Sequence, residues 1–89
     1  MRNVLVQHML RAWGEKADRN IAKWGLQDIG TLTLAMAEEV GELAQAVLKN
    51  RHENGSIERI KEETNDLAAL CVQMAWAISE KENSNEDRG

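Results

Sequence analysis

Two acidic clusters hold the residues whose types and spacing could do chemistry. The first, Glu38-Glu39-Val40-Gly41-Glu42, sets three carboxylates within five residues. The second, Glu62-Glu63-Thr64-Asn65-Asp66, repeats the arrangement about twenty residues later. Carboxylates are hard oxygen donors for Mg²⁺ or Mn²⁺, and they also relay protons or pair with basic side chains. Both clusters lie inside runs that otherwise read as apolar helix faces. A bare ionised carboxylate buried there gives up hydration without gaining a partner, so something must compensate it.

The elements that position these clusters are helices. The 89 residues include no Pro, Phe or Tyr and three Trp, with 43% apolar and 29% charged residues. Spaced by three or four, Val4, Leu5, Met9, Ala12, Trp13, Ala17 and Ile21 predict an amphipathic helix from about Asn3 to Lys23. Gly25 and Gly30 punctuate the next stretch, where Asp28 or Thr31 can cap a second helix from about Thr31 to Asn50. Asn54-Gly55 is a turn signal, and Ser56 is an N-cap for a third helix from about Ile57 to Lys81. The expectation is one all-α domain over residues 1–82, with a polar, flexible tail at 83–89. A chain this short buries a small share of its surface, which favours self-association.

At ~100° per residue, Leu32, Met36, Val40, Leu43 and Val47 form the stripe of the second helix, with Glu39 at its edge and Glu42 following at i+3. On the third helix Ile60, Leu67, Leu70, Met74 and Ala77 form the stripe, Cys71 and Ile78 flank it, and Glu63 falls inside it. Asp66 lies one turn on, ~60° to one side. Glu38 and Glu62 read as solvent-facing. Glu63 would be neutralised by an Arg or Lys from the first helix, or by a metal ion. Glu39, Glu42, Glu63 and Asp66 make a hard anionic cage suited to Mg²⁺, with Mn²⁺ as a substitute. Di-iron bundles use Glu-x-x-His pairs, and neither His8 nor His52 follows a glutamate by three. A closed zinc site needs Cys or His in number, and the sole cysteine, Cys71, reads as a small buried hydrophobe.

Charge and hydropathy exclude other classes. The net charge is −4, and no basic stripe exists to displace counterions from a nucleic-acid backbone. No stretch reaches the ~18 apolar residues of a membrane span, and the N-terminal segment has no signal-peptide core. A cytoplasmic protein is expected.

Together, Glu38-Glu39-Val40-Gly41-Glu42 and Glu63-Thr64-Asn65-Asp66 resemble the EExxE…ExxD signature of the MazG-like nucleoside triphosphate pyrophosphohydrolases, over roughly Trp24 to Ser79. The resemblance implies an all-α fold in which three-helix subunits pair into a dimeric four-helix-bundle core, as a homodimer or dimer of dimers. It implies Mg²⁺-dependent cleavage of a (deoxy)nucleoside triphosphate to monophosphate and pyrophosphate. Carried over by position, Glu39, Glu42, Glu63 and Asp66 are the metal ligands, and Glu38 orients or activates the attacking water. Trp24, near the start of the second helix, is the candidate to carry the nucleobase. Many members of that family continue into a segment whose Lys, Asn and Arg grip the phosphates. Here the sequence after Lys81 reads ENSNEDRG, so those contacts are expected from Lys49, Arg51, Lys81 or a neighbouring subunit. The alternative from another class is a non-catalytic helical dimerisation module with a structural or regulatory metal site.

Overall fold

Each helix begins where a short polar side chain can accept from an otherwise unpaired backbone N–H. Asn3 accepts from Val6 N at 3.2 Å and opens α1 (Val4–Trp24). Asp28 accepts from Thr31 N at 2.8 Å and opens α2 (Ile29–His52), and these hydrogen bonds hold its carboxyl below the ordinary value. Ser56 Oγ accepts from Arg59 N at 3.2 Å and opens α3 (Ile57–Arg88). The computed structural model describes residues 3–88, with side chains through residue 84. Within that range the protein is all-helical, with three helices and no strand. The helical path continues through 83–88, the segment expected as a tail, whereas Gly89 lies outside the described residues. Among the described residues no helix is long and apolar enough to cross a membrane.

α3 is the central element: it packs on both α2 and α1, and those two do not pack on each other. The turn at residues 53–56 folds α3 back along α2 as an antiparallel pair. Asn54 adopts φ 57°, a left-handed conformation that asparagine tolerates. Gly55 N and Glu53 N both donate to Lys49 O, at 2.9 and 2.8 Å, and Asn50 Nδ2 donates to Gly55 O at 2.8 Å. A Cβ on Gly55 would stand 3.0 Å from the backbone N of Asn50, so the tip needs glycine for space.

Small residues set the core. Ala17 and Ala69 are fully buried, Ala46 and Ala77 nearly so, and among the described residues Leu32 is the one large apolar side chain buried almost completely. Alanine lets helix backbones approach closely. The α1–α3 contact is polar by comparison: Trp13 Nε1 donates to Asn65 Oδ1 at 2.9 Å, and Asn20 Nδ2 donates to Gln73 Oε1 at 2.8 Å. Both numbers rise together along the two helices, so α1 runs parallel to α3.

Several expected apolar-face positions turn outward, among them Val4 and Leu5 on α1 and Ile78 beside Cys71 on α3. Val40 is 52% exposed and Cys71 is exposed. The inward face of α2 is centred on Leu32, Ala46 and Glu39, which leaves Val40 ~100° past Glu39. On α3 the buried positions are Glu63, Ala69, Gln73 and Ala77, so Cys71 falls between the faces turned to α1 and α2 and solvent.

Two alanine substitutions should separate a glycine needed for space from one that merely weakens a helix. Gly55→Ala forces the tip apart and should lower stability by roughly 1–2 kcal/mol. Gly14→Ala, with nothing within 4 Å of the added Cβ, should raise it by about 0.5–1 kcal/mol. Urea unfolding of the two variants beside the wild type measures both.

Candidate metal centre

The hairpin register decides which acids meet. Measured from the tip, Glu42 is seven residues before Lys49 and Glu63 is eight after Gly55. At 1.5 Å per residue both stand roughly 11–12 Å from the turn. Glu39 and Asp66 pair in the same way, one turn further down. Glu39, Glu63 and Asp66 converge most closely: one carboxylate oxygen from each lies within 4.8 Å of the others. Glu63 is only 6% exposed and Glu39 is half-buried, whereas Glu42 and Glu38 are exposed. Glu42 borders the cluster through Glu63, whose carboxyl is the main influence on it. Glu38 stands outside, on the solvent side.

Basic side chains neutralise the acids only in part. A basic residue does come from the first helix, but Lys16 Nζ pairs with Asp66 Oδ1 at 2.6 Å. The cation for Glu63 comes from its own helix: Arg59 Nε donates to Glu63 Oε1 at 2.8 Å from one turn earlier. These two cations do not complete the site. Glu39 Oε2 and Glu63 Oε2 are buried and accept no hydrogen bond. Four carboxylates against Lys16 and Arg59 leave two negative charges when all are ionised. Unpaired buried carboxylate oxygens are costly, and one divalent cation has the charge to balance the shortfall. The donor set is all hard oxygen, so it fits Mg²⁺ or Mn²⁺ and not a soft metal.

Crowding also moves the protons. Burial, then the neighbouring Glu63, then the charges of Glu42 and Asp66 push Glu39 up to about 7. Glu42 is raised as well, chiefly by the neighbouring Glu63 carboxyl and its charge. Glu63 is lowered, chiefly by the adjacent Glu39 carboxyl, with help from Glu42 and Arg59 against burial. A proton on Glu39 thus supplies the donor that the fully ionised cluster lacks.

Beside the acids lies a hollow of about 390 Å³ between α1 and α2, floored by α3. Lys16, Trp24, Glu39, Asp66, Leu70 and Gln73 are among its walls. The sequence-derived candidates Trp24, Glu39 and Asp66 therefore share one cavity. Trp24 is 66% exposed, with Lys23 Nζ 5.0 Å from its ring centroid. Lys49 is not on these walls: it sits at the hairpin tip, ten residues, or roughly 15 Å of helix, from Glu39. Sequence reasoning did not single out Lys16, Arg59, Asn20 or Gln73. The i,i+4 spacing of Arg59 and Glu63 was a readable signal, but the α1 residues reach the site only through tertiary packing.

Compared with known proteins, the chain matches no family model, no curated protein and no solved structure.

The raised Glu39 fixes the sign of the pH dependence. Its folded value of about 7 lies above the 4.5 of the free side chain, so folding takes up a proton between the two. That contribution is fully present below 4.5 and is lost as pH rises through 7, with Glu42 acting in the same direction. Glu63 works oppositely, but only below its ordinary value. In a chelator, the melting temperature should therefore fall between pH 5 and pH 8, and saturating Mg²⁺ should flatten that slope. A metal-free melting temperature that rises over this interval would contradict the geometry.

Proposed function

We propose that the protein is a Mg²⁺-dependent nucleotide pyrophosphohydrolase of the MazG-like kind, cleaving (deoxy)nucleoside triphosphates to monophosphate and pyrophosphate. The observation that carries the reading is the pair of unpartnered buried oxygens, Glu39 Oε2 and Glu63 Oε2, in an acidic cluster whose Glu39 and Asp66 line a cavity shared with Trp24.

Glu39, Glu42, Glu63 and Asp66 would hold the cation. When bound, it screens the phosphates, polarises the scissile linkage and lowers the pKa of water. The chain's residues do the rest. Glu63, fixed by Arg59 and deeply buried, keeps its carboxylate aimed at one point and depressed in pKa, so it stays ionised at neutral pH. Trp24 offers an exposed indole on the wall away from the hairpin tip, a surface on which a base can stack. Leu70 and Leu32 give the hollow an apolar lining that limits water around the reacting phosphates. Glu38 would have to act on the entering water from outside the hollow, since it is exposed and is not among the residues that line it.

Self-association belongs to the same reading. Val4, Leu5, Leu10, Leu34, Leu48 and Ile57 are all more than half exposed, too much apolar surface for a chain whose core is mainly alanine. A second copy forming a dimeric four-helix core would cover it. Sedimentation at micromolar concentration should show a dimer or larger; a stable folded monomer would count against this.

The two ion pairs favour one competing reading, a salt-bridged structural cluster in a helical dimerisation module. Neighbouring glutamates separate the readings. Glu63→Gln keeps shape and removes charge, and Arg59 is 56% exposed, so its loss of a partner should cost less than ~1 kcal/mol. In the enzyme, Glu63→Gln should lose most of the Mg²⁺-induced rise in melting temperature and cut pyrophosphate release at least ~100-fold. Glu62→Gln, exposed and ~100° round the helix, should stay within a few-fold of wild type. Pyrophosphate release from a triphosphate panel, with and without Mg²⁺, decides. Absence of release across the panel leaves the structural module standing.

A further inference from the structure

We propose that Lys16 is a substrate-binding residue that exchanges partners: it neutralises Asp66 in the metal-free protein and turns to the phosphates of a nucleoside triphosphate once a divalent cation holds the carboxylates. This rests on the metal-dependent nucleotide reading above. Lys16 Nζ lies 2.6 Å from Asp66 Oδ1, and Lys16 also lines the hollow that holds Glu39, Asp66 and Trp24. Among the described residues on those walls it is the only basic one. A triphosphate entering there would otherwise meet two acidic walls with no protein cation to receive it. Arg59 is not on the walls, and Lys49 is at the distant hairpin tip.

The ion pair is built for exchange. Its two side chains are 35% and 36% exposed, so the contact is held by packing yet open to a ligand. A divalent ion outbids an ammonium for the same carboxylate because it carries twice the charge. Trp13 and Asn20 hydrogen-bond to α3 on either side of Lys16 and keep α1 in place while the side chain moves. A freed lysine is a flexible point charge on a four-carbon stem, well suited to phosphate oxygens.

Partner exchange makes two effects run in opposite directions. Without substrate, Lys16 competes with the metal for Asp66, so removing it should tighten metal binding. With substrate, Lys16 contributes attraction, so removing it should weaken triphosphate binding. A lysine with a purely structural role would weaken both or change neither.

The test titrates the wild type, K16M and K16R with Mn²⁺ by electron paramagnetic resonance and measures steady-state pyrophosphate release. K16M should bind Mn²⁺ about fivefold or more tighter, the lower end of an ordinary coupling between sites, while its KM for the triphosphate rises about tenfold. K16R, which keeps the charge, should hold the wild-type Mn²⁺ affinity and recover most of the KM. Lysine acylation mapped by mass spectrometry follows the wild type directly and needs no variant to fold. Lys16 should become more reactive on adding Mn²⁺ and be protected again by an α,β-imido triphosphate. If the wild type binds no Mn²⁺ and releases no pyrophosphate, the metal-site reading falls and the exchange with it. If the wild type does both, unchanged or weaker Mn²⁺ binding in K16M overturns the exchange alone, as does Lys16 reactivity that is unmoved by Mn²⁺.

Discussion

The seam between α2 and α3 cannot hold its acids as free charges, and much of the structure follows from that. The helices must pack to bury Leu32 and Ala46, and the register that packs them also drives Glu39, Glu63 and Asp66 together. The protein relieves the repulsion in three ways: it draws Arg59 onto Glu63, Lys16 onto Asp66, and a proton onto Glu39. The two ion pairs alone are incomplete, since without that proton two buried oxygens lack a donor. A site that is fully satisfied internally has no affinity left for a ligand. This one retains an excess of negative charge: two units when all four acids are ionised, one when Glu39 keeps its proton.

The helices and the hairpin were legible because their signals are local. Asn3, Asp28 and Ser56 cap their helices through side-chain oxygens, and Asn54-Gly55 turns the chain. Glu39, Glu63 and Asp66 were legible because a carboxylate beside an apolar stripe is conspicuous at helical period. Val40 and Cys71 were misread for a related reason: apolar type at the right spacing says that a residue can be buried, and not which neighbours exist to bury it. Glu42 shares the i+3 spacing of Glu39 but stands at the open side of the seam. Lys16, Asn20 and Gln73 had no local signal, because their roles arise from how α1 lies along α3.

That placement gives α1 a role different from the hairpin's. Its contact with α3 combines a tight alanine approach at Ala17 and Ala69 with directional polar bonds from Trp13, Lys16 and Asn20. Hydrogen bonds specify position more than they stabilise it, since the same groups bond water when unfolded. α1 therefore works as a wall set at a defined distance from α2. The gap between these two unpacked helices is the hollow, and its width is controlled through α3 alone.

The four-residue turn at Gly55 also bears on how quickly the chain finds this arrangement. Short loops close fast, and contacts near in sequence form early, so the α2–α3 hairpin is the natural nucleus, with α1 docking later across a longer separation. The acids therefore confront one another at the first committed step of folding, before α1 has brought Lys16 to the seam. In that order their repulsion would be felt as the hairpin closes as well as in the final state. Acidity, which sets the proton on Glu39, would then bear on the tempo of folding as well as on final stability.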